Sequence, residues 1–310
     1  MKRIFTYMAT MLVATGCTMD HKAEYDPDMQ IQFLPVMHLA SKSYEIIDDY
    51  PDGKPFSVNA WTLERDCNWN EDVAKTEKYL SNAPVCFNQM DGWVLECGTM
   101  WPPRDRRLTV IAYSPAEAFH SCSCEKGVSC TYDILESQID LLYTKPQADM
   151  DKVENHGIIV LPFKHALTQV DFKVKNRVAK DEEIIIRSLK LDNVSHKGTF
   201  ESLPEPKWTL EEATATITFF EGEQTTRNVA EEIGRSWYII PQVLSTNVTI
   251  EFEYRTSEDT GFITTQKTCE LNTNLKAGRH YTYTVSVGID DVKFLLEIIE
   301  DRFKEDEEIL

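Results

Sequence analysis

Short runs in which apolar and polar residues alternate recur along most of the chain, and they constrain the fold more than any other feature. The clearest run lies at 167–175, where Val170, Phe172 and Val174 alternate with polar neighbours. Successive side chains of a strand point to opposite faces of a sheet, so this period of two predicts a half-buried strand rather than a helix. Just before it, the continuous apolar run Ile158–Leu161 predicts a strand that is buried on both faces, joined to the next by residues 162–165.

Similar strand-like runs continue from residue 30 to residue 287, bounded by turn-forming Pro, Gly, Asp and Asn. The second half contains no convincing amphipathic helix between them, which predicts antiparallel sandwiches rather than a parallel α/β sheet. The run NEDVAKTEKYL at 70–80 is the exception, because Asn70 is suited to cap a short surface helix or helical loop.

The length of 310 residues favours two domains over one. The polar segment Thr144–Asn155 has no apolar rhythm and is the best linker candidate. We therefore predict β-sandwiches at 30–150 and 151–299, followed by an acidic tail at 300–310. Alternating apolar residues in 292–298 predict one more strand near the end, with a helix as the alternative.

The first residues have the pattern of an export signal. Lys2 and Arg3 precede an apolar run that is too short to span a bilayer, which predicts a signal peptide at 1–16. The sequence ATGC then resembles a lipobox, so Cys17 is the predicted lipidation site, with ordinary secretory cleavage as the alternative. The polar and acidic residues 17–29 would form a tether.

Charge and motifs restrict the function. The formal net charge of −19 disfavours binding to nucleic acid or to anionic lipid and suits a solvated surface. The chain contains no G-x-S-x-G, no Gly-rich phosphate loop and no H-E-x-x-H, so we predict a protein that is not an enzyme and needs no cofactor or metal. The seven histidines include His165, which stands in an apolar setting and is predicted to fill a packing position.

Eight cysteines suit an oxidising compartment, and an odd number remains if Cys17 carries lipid. His120, Cys122, Cys124 and Cys130 could surround zinc, but the usual C-x-x-C spacing is missing. A disulfide between Cys130 and Cys122 or Cys124 is therefore the favoured prediction.

Two tryptophans are weak candidates for ligand contact. Trp69 and Trp101 stand among polar residues or prolines, and exposed aromatic rings are stacking platforms for sugars. A core position for both rings is favoured over ligand contact.

The segment LPFKHALTQVDFKV at 161–174 resembles the F-x-H-A-L-x-x-V-x-F-x-V signature of the fimbrillin family, the Mfa-like pilins and pilus-tip adhesin lipoproteins of Bacteroidales. The resemblance implies an all-β fold of two tandem transthyretin-like antiparallel β-sandwich domains, and an address at the outer membrane. Four further segments occur in the order found in the family: IAYSP at 111–115, QIDLLY at 138–143, WYIIPQ at 237–242 and LKAGRHYTYTVSV at 275–287.

In this family, removal of an N-terminal strand opens a groove that a partner's strand fills. The resemblance thus implies a structural subunit of a type V-like pilus at the cell surface. Its partners would be other pilus subunits, the outer membrane through the lipid, and a glycan or protein on another surface. The candidate strand-exchange residues are Ile31, Phe33, Val292, Phe294, Leu296 and Ile298.

Family pilins are often cut after an arginine, but no arginine lies between Cys17 and Glu64. An anchor or tip subunit that keeps its lipid is therefore favoured over a shaft subunit. The alternative function is a carbohydrate-binding surface lipoprotein for nutrient capture. Coplanar exposed aromatic rings in one groove would favour that alternative, whereas a detachable edge strand would favour the pilus subunit.

Overall fold

The computed structural model describes residues 30–39, 46–51, 53–178, 183–255, 261–288 and 298–301. The described residues are organised almost entirely as β-strands, so the predicted all-β class is confirmed. The division into two tandem transthyretin-like domains stays a prediction. The strands are β1 Gln32–Leu39, β2 Ile46–Asp49, β3 Phe56–Glu64, β4 Glu77–Asn88, β5 Gly92–Leu95, β6 Arg106–Ser114, β7 Ser121–Ser123, β8 Gly127–Asp133, β9 Leu142–Thr144, β10 Gln147–Met150, β11 Ile158–His165, β12 Thr168–Asn176, β13 Glu183–Ser195, β14 Lys197–Glu201, β15 Lys207–Leu210, β16 Thr214–Thr225, β17 Glu231–Ile239, β18 Val243–Arg255, β19 Ile263–Asn274, β20 His280–Val287 and β21 Ile298–Asp301.

The first sheet has the strand order β10, β6, β3, β4, β5, β1, β11, β9, with β2 paired to β1. Strand β9 also pairs with β6, so the sheet closes on itself. Its inner face holds a core that includes Phe56, Val58, Val85, Val110 and Phe163, each 0% or 1% exposed. Closure leaves strand β1 with a hydrogen-bonded neighbour on each side.

Three four-stranded sheets hold most of the remaining strands: β17-β12-β20-β21, β16-β13-β18-β19 and β15-β14-β8-β7. The first two pack face to face, with the rings of Phe172 and Phe219 centred 4.6 Å apart. The third of these sheets contacts the closed sheet described above, where the rings of Phe200 in β14 and Tyr143 in β9 have centroids 5.0 Å apart. Strand pairings are antiparallel as expected, except β1 with β11 and β12 with β20, which are parallel.

Strand β11 corrects one prediction from the sequence. The run at 158–161 was predicted to be buried on both faces, but Ile158 is 40% exposed whereas Ile159 and Leu161 are 0% exposed. The strand is one wall of the closed sheet, so only one of its faces points inward. Residues 162–165 belong to β11 and do not join it to β12.

The predicted helix at 70–80 is also shorter than expected. The helix α1 spans Trp69–Asp72, and Asn68, not Asn70, caps it by accepting a hydrogen bond from the amide of Glu71. A 3₁₀ turn at Val73–Lys75 follows, and β4 begins at Glu77. The amide of Thr76 still bonds back to Val73, but the extended backbone of Thr76 ends the helical path there.

The predicted linker at 144–155 is partly ordered in strands. It contains the end of β9 and the whole of β10, which pairs with β6. One of its polar residues, Asp149, makes a structural contact, because its carboxylate accepts a hydrogen bond from the backbone N–H of Trp69 at 3.1 Å. No helix within the described part of the chain has the length and apolarity to cross a membrane.

Candidate functional site

The strand nearest the N-terminus, β1, occupies the gap between β5 and β11. It runs parallel to β11, from Gln32 opposite Ile158 to Val36 opposite Pro162. On its other side it runs antiparallel to β5, with Phe33 opposite Trp93. The first part of β1 has neighbours from distant parts of the sequence on both sides, so it completes the sheet, whereas the end of β1 pairs with β2, the next strand along the chain.

Backbone hydrogen bonds hold the beginning of β1 on both sides. The amide of Ile31 donates to the carbonyl of Thr99 at 3.2 Å, and the amide of Gln32 donates to the carbonyl of Gly157 at 3.3 Å. The preceding residue, Gln30, forms an isolated antiparallel bridge with Met100. These bonds depend on the backbone alone, so another strand of suitable sequence could make them.

Buried side chains predominate from Ile31, just before β1, to Val36, and alternation with the surface holds only up to Leu34 because Pro35 and Val36 are both buried. Ile31, Phe33 and Val36 are 1%, 4% and 0% exposed, whereas Leu34 is 38% exposed. Full burial of an aliphatic or aromatic side chain contributes about 1.5–3 kcal/mol. The inward residues therefore provide most of the specific stabilisation of this strand.

Aromatic rings form the floor beneath β1. The ring of Phe33 meets Phe56 edge to face with centroids 6.2 Å apart, and Tyr50 lies 5.4 Å from Trp93 and 4.8 Å from Phe163. Burial raises the pKa of Tyr50 to about 12, so its phenol stays neutral. If β1 left, this floor would be uncovered.

Departure of β1 would also leave the facing edges of β5 and β11 without a partner. Unpaired N–H and C=O groups along a sheet edge are a template for another strand, and apolar pockets select its alternate side chains. The arrangement can thus exchange one strand for another without any covalent chemistry.

The structure brings together only some of the predicted strand-exchange residues. Ile31 and Phe33 both face the core at the beginning of β1. Ile298 begins β21, which pairs with β20 in a different sheet. The other predicted residues lie outside the described part of the chain: Cys17, Val292, Phe294 and Leu296.

Trp69 and Trp101 are 7% and 4% exposed, which places both rings in the core and not at an exposed ligand-contact surface. Trp69 packs against Trp61 with ring centroids 5.8 Å apart. The indole N–H of Trp101 donates to the carbonyl of Gly157 at 3.3 Å, next to the point where β1 and β11 meet. Trp101 therefore supports the exchange site.

The predicted disulfide at Cys130 is not formed, since all seven described cysteines are free thiols. The register explains this result, because Cys122 lies opposite Val128 and not opposite Cys130. Burial raises the pKa of both Cys122 and Cys130 to about 12. The described residues also contain no group of three or more His, Cys, Asp or Glu side chains placed to hold a metal ion.

Three histidines that appear isolated in the sequence each contact an aspartate. His165 contacts Asp140 at 2.8 Å, His196 contacts Asp133 at 3.0 Å, and His280 contacts Asp171 at 2.5 Å. The partners are 25, 63 and 109 residues apart in the chain. Sequence spacing carries no signal for such pairs, and no other feature of the sequence indicates them.

Comparison with known proteins gives a consistent result. Residues 54–299 match a family model described as "Fimbrillin-like". The fimbrium subunit Fim1C of Phocaeicola vulgatus is 24% identical over 216 residues, which cover 62% of this chain but only 56% of that protein. A fimbrial protein from Bacteroides vulgatus, solved by crystallography, has a similar fold, with a TM-score of 0.69, 19% identity, and coverage of 87% of this chain and 98% of the other.

Proposed function

Because the chain belongs to the fimbrillin-like family, we propose that it is a structural subunit of a pilus that assembles by strand addition and contributes to adhesion. The observation that carries the proposal is the position of β1, a single strand between β5 and β11 that covers an aromatic floor. An incoming strand from a neighbouring subunit would form the same backbone bonds and would place apolar residues at the positions of Ile31 and Phe33.

We further propose that the subunit is held at the outer membrane by lipid on Cys17 and serves as an anchor or tip. The ATGC sequence that ends at Cys17 and the absence of arginine between Cys17 and Arg65 support this assignment. Mass spectrometry of the protein from cell surfaces tests it directly. We expect an acylated Cys17 at the N-terminus of the mature chain, and an unmodified Cys17 or a terminus beyond it would contradict the anchor.

Strand exchange can be tested by cutting the chain behind β1. The turn at 51–55 precedes β3 and has an exposed tip at Gly53, so a specific protease site inserted there should be cut without damage to the sheets. After the cut, β1 and β2 are retained by non-covalent contacts alone. A labelled synthetic peptide of residues 30–39, added in excess, should then replace β1.

Matched peptides give the controls for this experiment. We expect a peptide with aspartate at positions 31 and 33 to fail, because both side chains enter the core, and a peptide with Leu34→Asp to bind, because Leu34 faces solvent. Uncut protein should bind none of the three peptides, because its own β1 stays covalently attached. Equal binding of the two variants, or no exchange by the unmodified peptide, would reject strand addition at this site.

The candidate donor strand needs a separate experiment. A synthetic peptide of residues 290–301 includes Phe294, Leu296 and Ile298, which are proposed to occupy the core pockets of the next subunit. We expect this peptide to enter the cut protein in place of β1. If the 30–39 peptide exchanges but the 290–301 peptide does not, the groove accepts an added strand, and residues 290–301 are rejected as the donor.

A further inference from the structure

A cleft with a volume of about 230 Å³ opens beside the beginning of β1. Three parts of the chain line it: Arg65 just after β3, the connection from Trp101 to Arg106 between β5 and β6, and the turn 151–154 between β10 and β11. No atom of β1 lines the cleft. A ligand in this cleft would not contact β1, although Trp101 borders both the cleft and the exchange site.

The charge of the cleft is opposite to that of the whole chain. Its lining includes the cations Arg65, Arg104, Arg106 and Lys152, with two carboxylates, whereas the chain has a formal net charge of −19. A concave surface that concentrates cations attracts and retains anions. Arg106 is already paired with Glu77 at 2.9 Å, so three cations, Arg65, Arg104 and Lys152, remain beside the two carboxylates. This excess of one positive charge points to an anionic ligand.

One of the two carboxylates is fully used by the protein. Asp151 contacts Nη1 of Arg65 at 2.6 Å and accepts the amides of Val153 and Glu154 at 2.9 and 3.2 Å. Burial acts to raise the pKa of Asp151, but these backbone hydrogen bonds and Arg65 outweigh burial and lower the pKa. Asp151 thus fixes the turn and orients the guanidinium of Arg65.

The second carboxylate, that of Glu154, makes only a loose contact. It lies 3.8 Å from Nη2 of Arg65, and its side chain is 66% exposed. Exposed ion pairs of this kind contribute little to stability, so a ligand carboxylate can displace Glu154 at low cost. A guanidinium presents donors in a planar fork that matches a carboxylate in two hydrogen bonds.

The remaining wall is apolar and rigid. Trp101 and Pro102 are buried and Pro103 is exposed, and the indole of Trp101 is fixed by its bond to Gly157. Pro103 is the accessible part of this wall, and its apolar ring suits the C–H face of a sugar ring. The volume of the cleft matches a single pyranose better than an extended peptide, which needs an open groove.

We propose that this cleft binds one acidic sugar residue, a pyranose that carries a carboxylate, at the end of a glycan chain. The carboxylate contacts Arg65 and Arg104, and the sugar ring lies against Pro103. This inference names a ligand class for adhesion, but it does not rest on pilus assembly.

Isothermal titration of the purified chain tests the proposal. The probes are methyl glucuronide, neutral methyl glucoside, and a short glutamate peptide. We expect methyl glucuronide to bind about tenfold or more tightly than the glucoside, since charge-assisted hydrogen bonds to the carboxylate are lost with the neutral sugar. Equal affinity for both sugars, or binding of the peptide alone, would overturn the proposal.

Variants locate the binding in the cleft. Arg104→Ala should weaken glucuronide binding about tenfold, and Glu154→Gln should strengthen it because the competing carboxylate is gone. Lys267→Ala removes one exposed positive charge on β19, outside the cleft, and should change nothing. Melting curves verify that the variants fold. If Arg104→Ala and Lys267→Ala behave alike, the site is not this cleft, whatever the outcome of the strand-exchange experiment.

Discussion

His165 and Asp140 join two segments that are separate in the sequence, with Nδ1 of the imidazole 2.8 Å from Oδ2 of the carboxylate. The contact connects the end of β11 to the segment between β8 and β9. The side chains are 23% and 15% exposed, so solvent would only poorly replace either partner if the other were removed. His165, which lies in the fimbrillin-like segment 161–174, therefore has a structural role and links these two segments.

We expect His165→Ala to lower the free energy of unfolding by about 1–3 kcal/mol, because it leaves the carboxylate of Asp140 without this partner. Urea denaturation followed by tryptophan fluorescence measures the change. His120→Ala is a suitable control, since His120 is exposed. Equal losses in the two variants would show that the contact contributes nothing.

Asp133 should contribute to the acid sensitivity of the fold. Burial acts to raise its pKa, but hydrogen bonds from His196 and from the amide of Leu135, each at 3.0 Å, outweigh burial and lower the pKa. A carboxyl group with a lowered folded-state pKa stabilises the fold above its ordinary value of about 4, and this contribution is lost as the pH falls through the lower value.

Asp133→Asn should therefore reduce stability at pH 7 and flatten the dependence of stability on pH below about pH 4. Urea denaturation at a series of pH values gives both quantities. Glu136→Gln is the control, because Glu136 is exposed in the segment that follows β8. An acid limb of the same slope in wild type and Asp133→Asn would contradict the assigned cause.

The inward face of β1 should control how firmly the strand is held. Phe33→Ala removes a ring that is 4% exposed and packed on Phe56, so we expect a loss of about 3–5 kcal/mol. Leu34→Ala, on the 38% exposed face of the same strand, should cost far less. Hydrogen exchange at the amides of 31–36 should accelerate in Phe33→Ala alone, and similar acceleration in both would argue against selective anchoring by the core face.

Thiol reactivity should separate the cysteines by burial. Cys97 is exposed, whereas burial raises the pKa of Cys122 and Cys130 to about 12. The thiolate is the reactive form, so the buried pair should react slowly with Ellman's reagent at pH 8. Peptide mapping after timed labelling should find Cys97 modified first. Early labelling of Cys130, or a disulfide at that residue, would contradict the free, buried thiol.

Local periodicity predicted the strands because burial of one face of a sheet requires apolar and polar residues to alternate along each strand. The alternation of Val170, Phe172 and Val174 is reproduced in β12, where each is 1% exposed. The apolar run at 158–161 misled because its outward residue, Ile158, is also apolar. Short local patterns cannot distinguish one buried face from two when the exposed residue is itself hydrophobic.

Only part of the candidate site could be predicted from the sequence, because the site depends on contacts between distant segments. Ile31 and Phe33 could be identified from alternation, but the pairing of β1 with β11 joins residues more than a hundred positions apart. The polar neighbours of Trp69 and Trp101 suggested exposure, yet burial of a ring depends on which distant segments pack over it. Long-range pairing thus determines the site, and the local patterns of a single sequence contain little record of it.

Gly234 is a position where only glycine fits. It lies within β17 with φ +71°, and an added Cβ would overlap the carbonyl oxygen of Phe219. The strand pairing is irregular between Val170 and Phe172, opposite this residue, so the backbone is bent there. Gly92 has a similar φ of +74° but has open space around its Cβ position.

Gly92→Ala should therefore cost about 1–2 kcal/mol for the left-handed backbone alone. Gly234→Ala adds a clash with main-chain atoms and should cost about 3 kcal/mol or more in total. Thermal and urea denaturation of the two variants under the same conditions compares them. If both lose the same amount, the approach of Phe219 is relaxed without cost, and the bend in β17 does not depend on glycine.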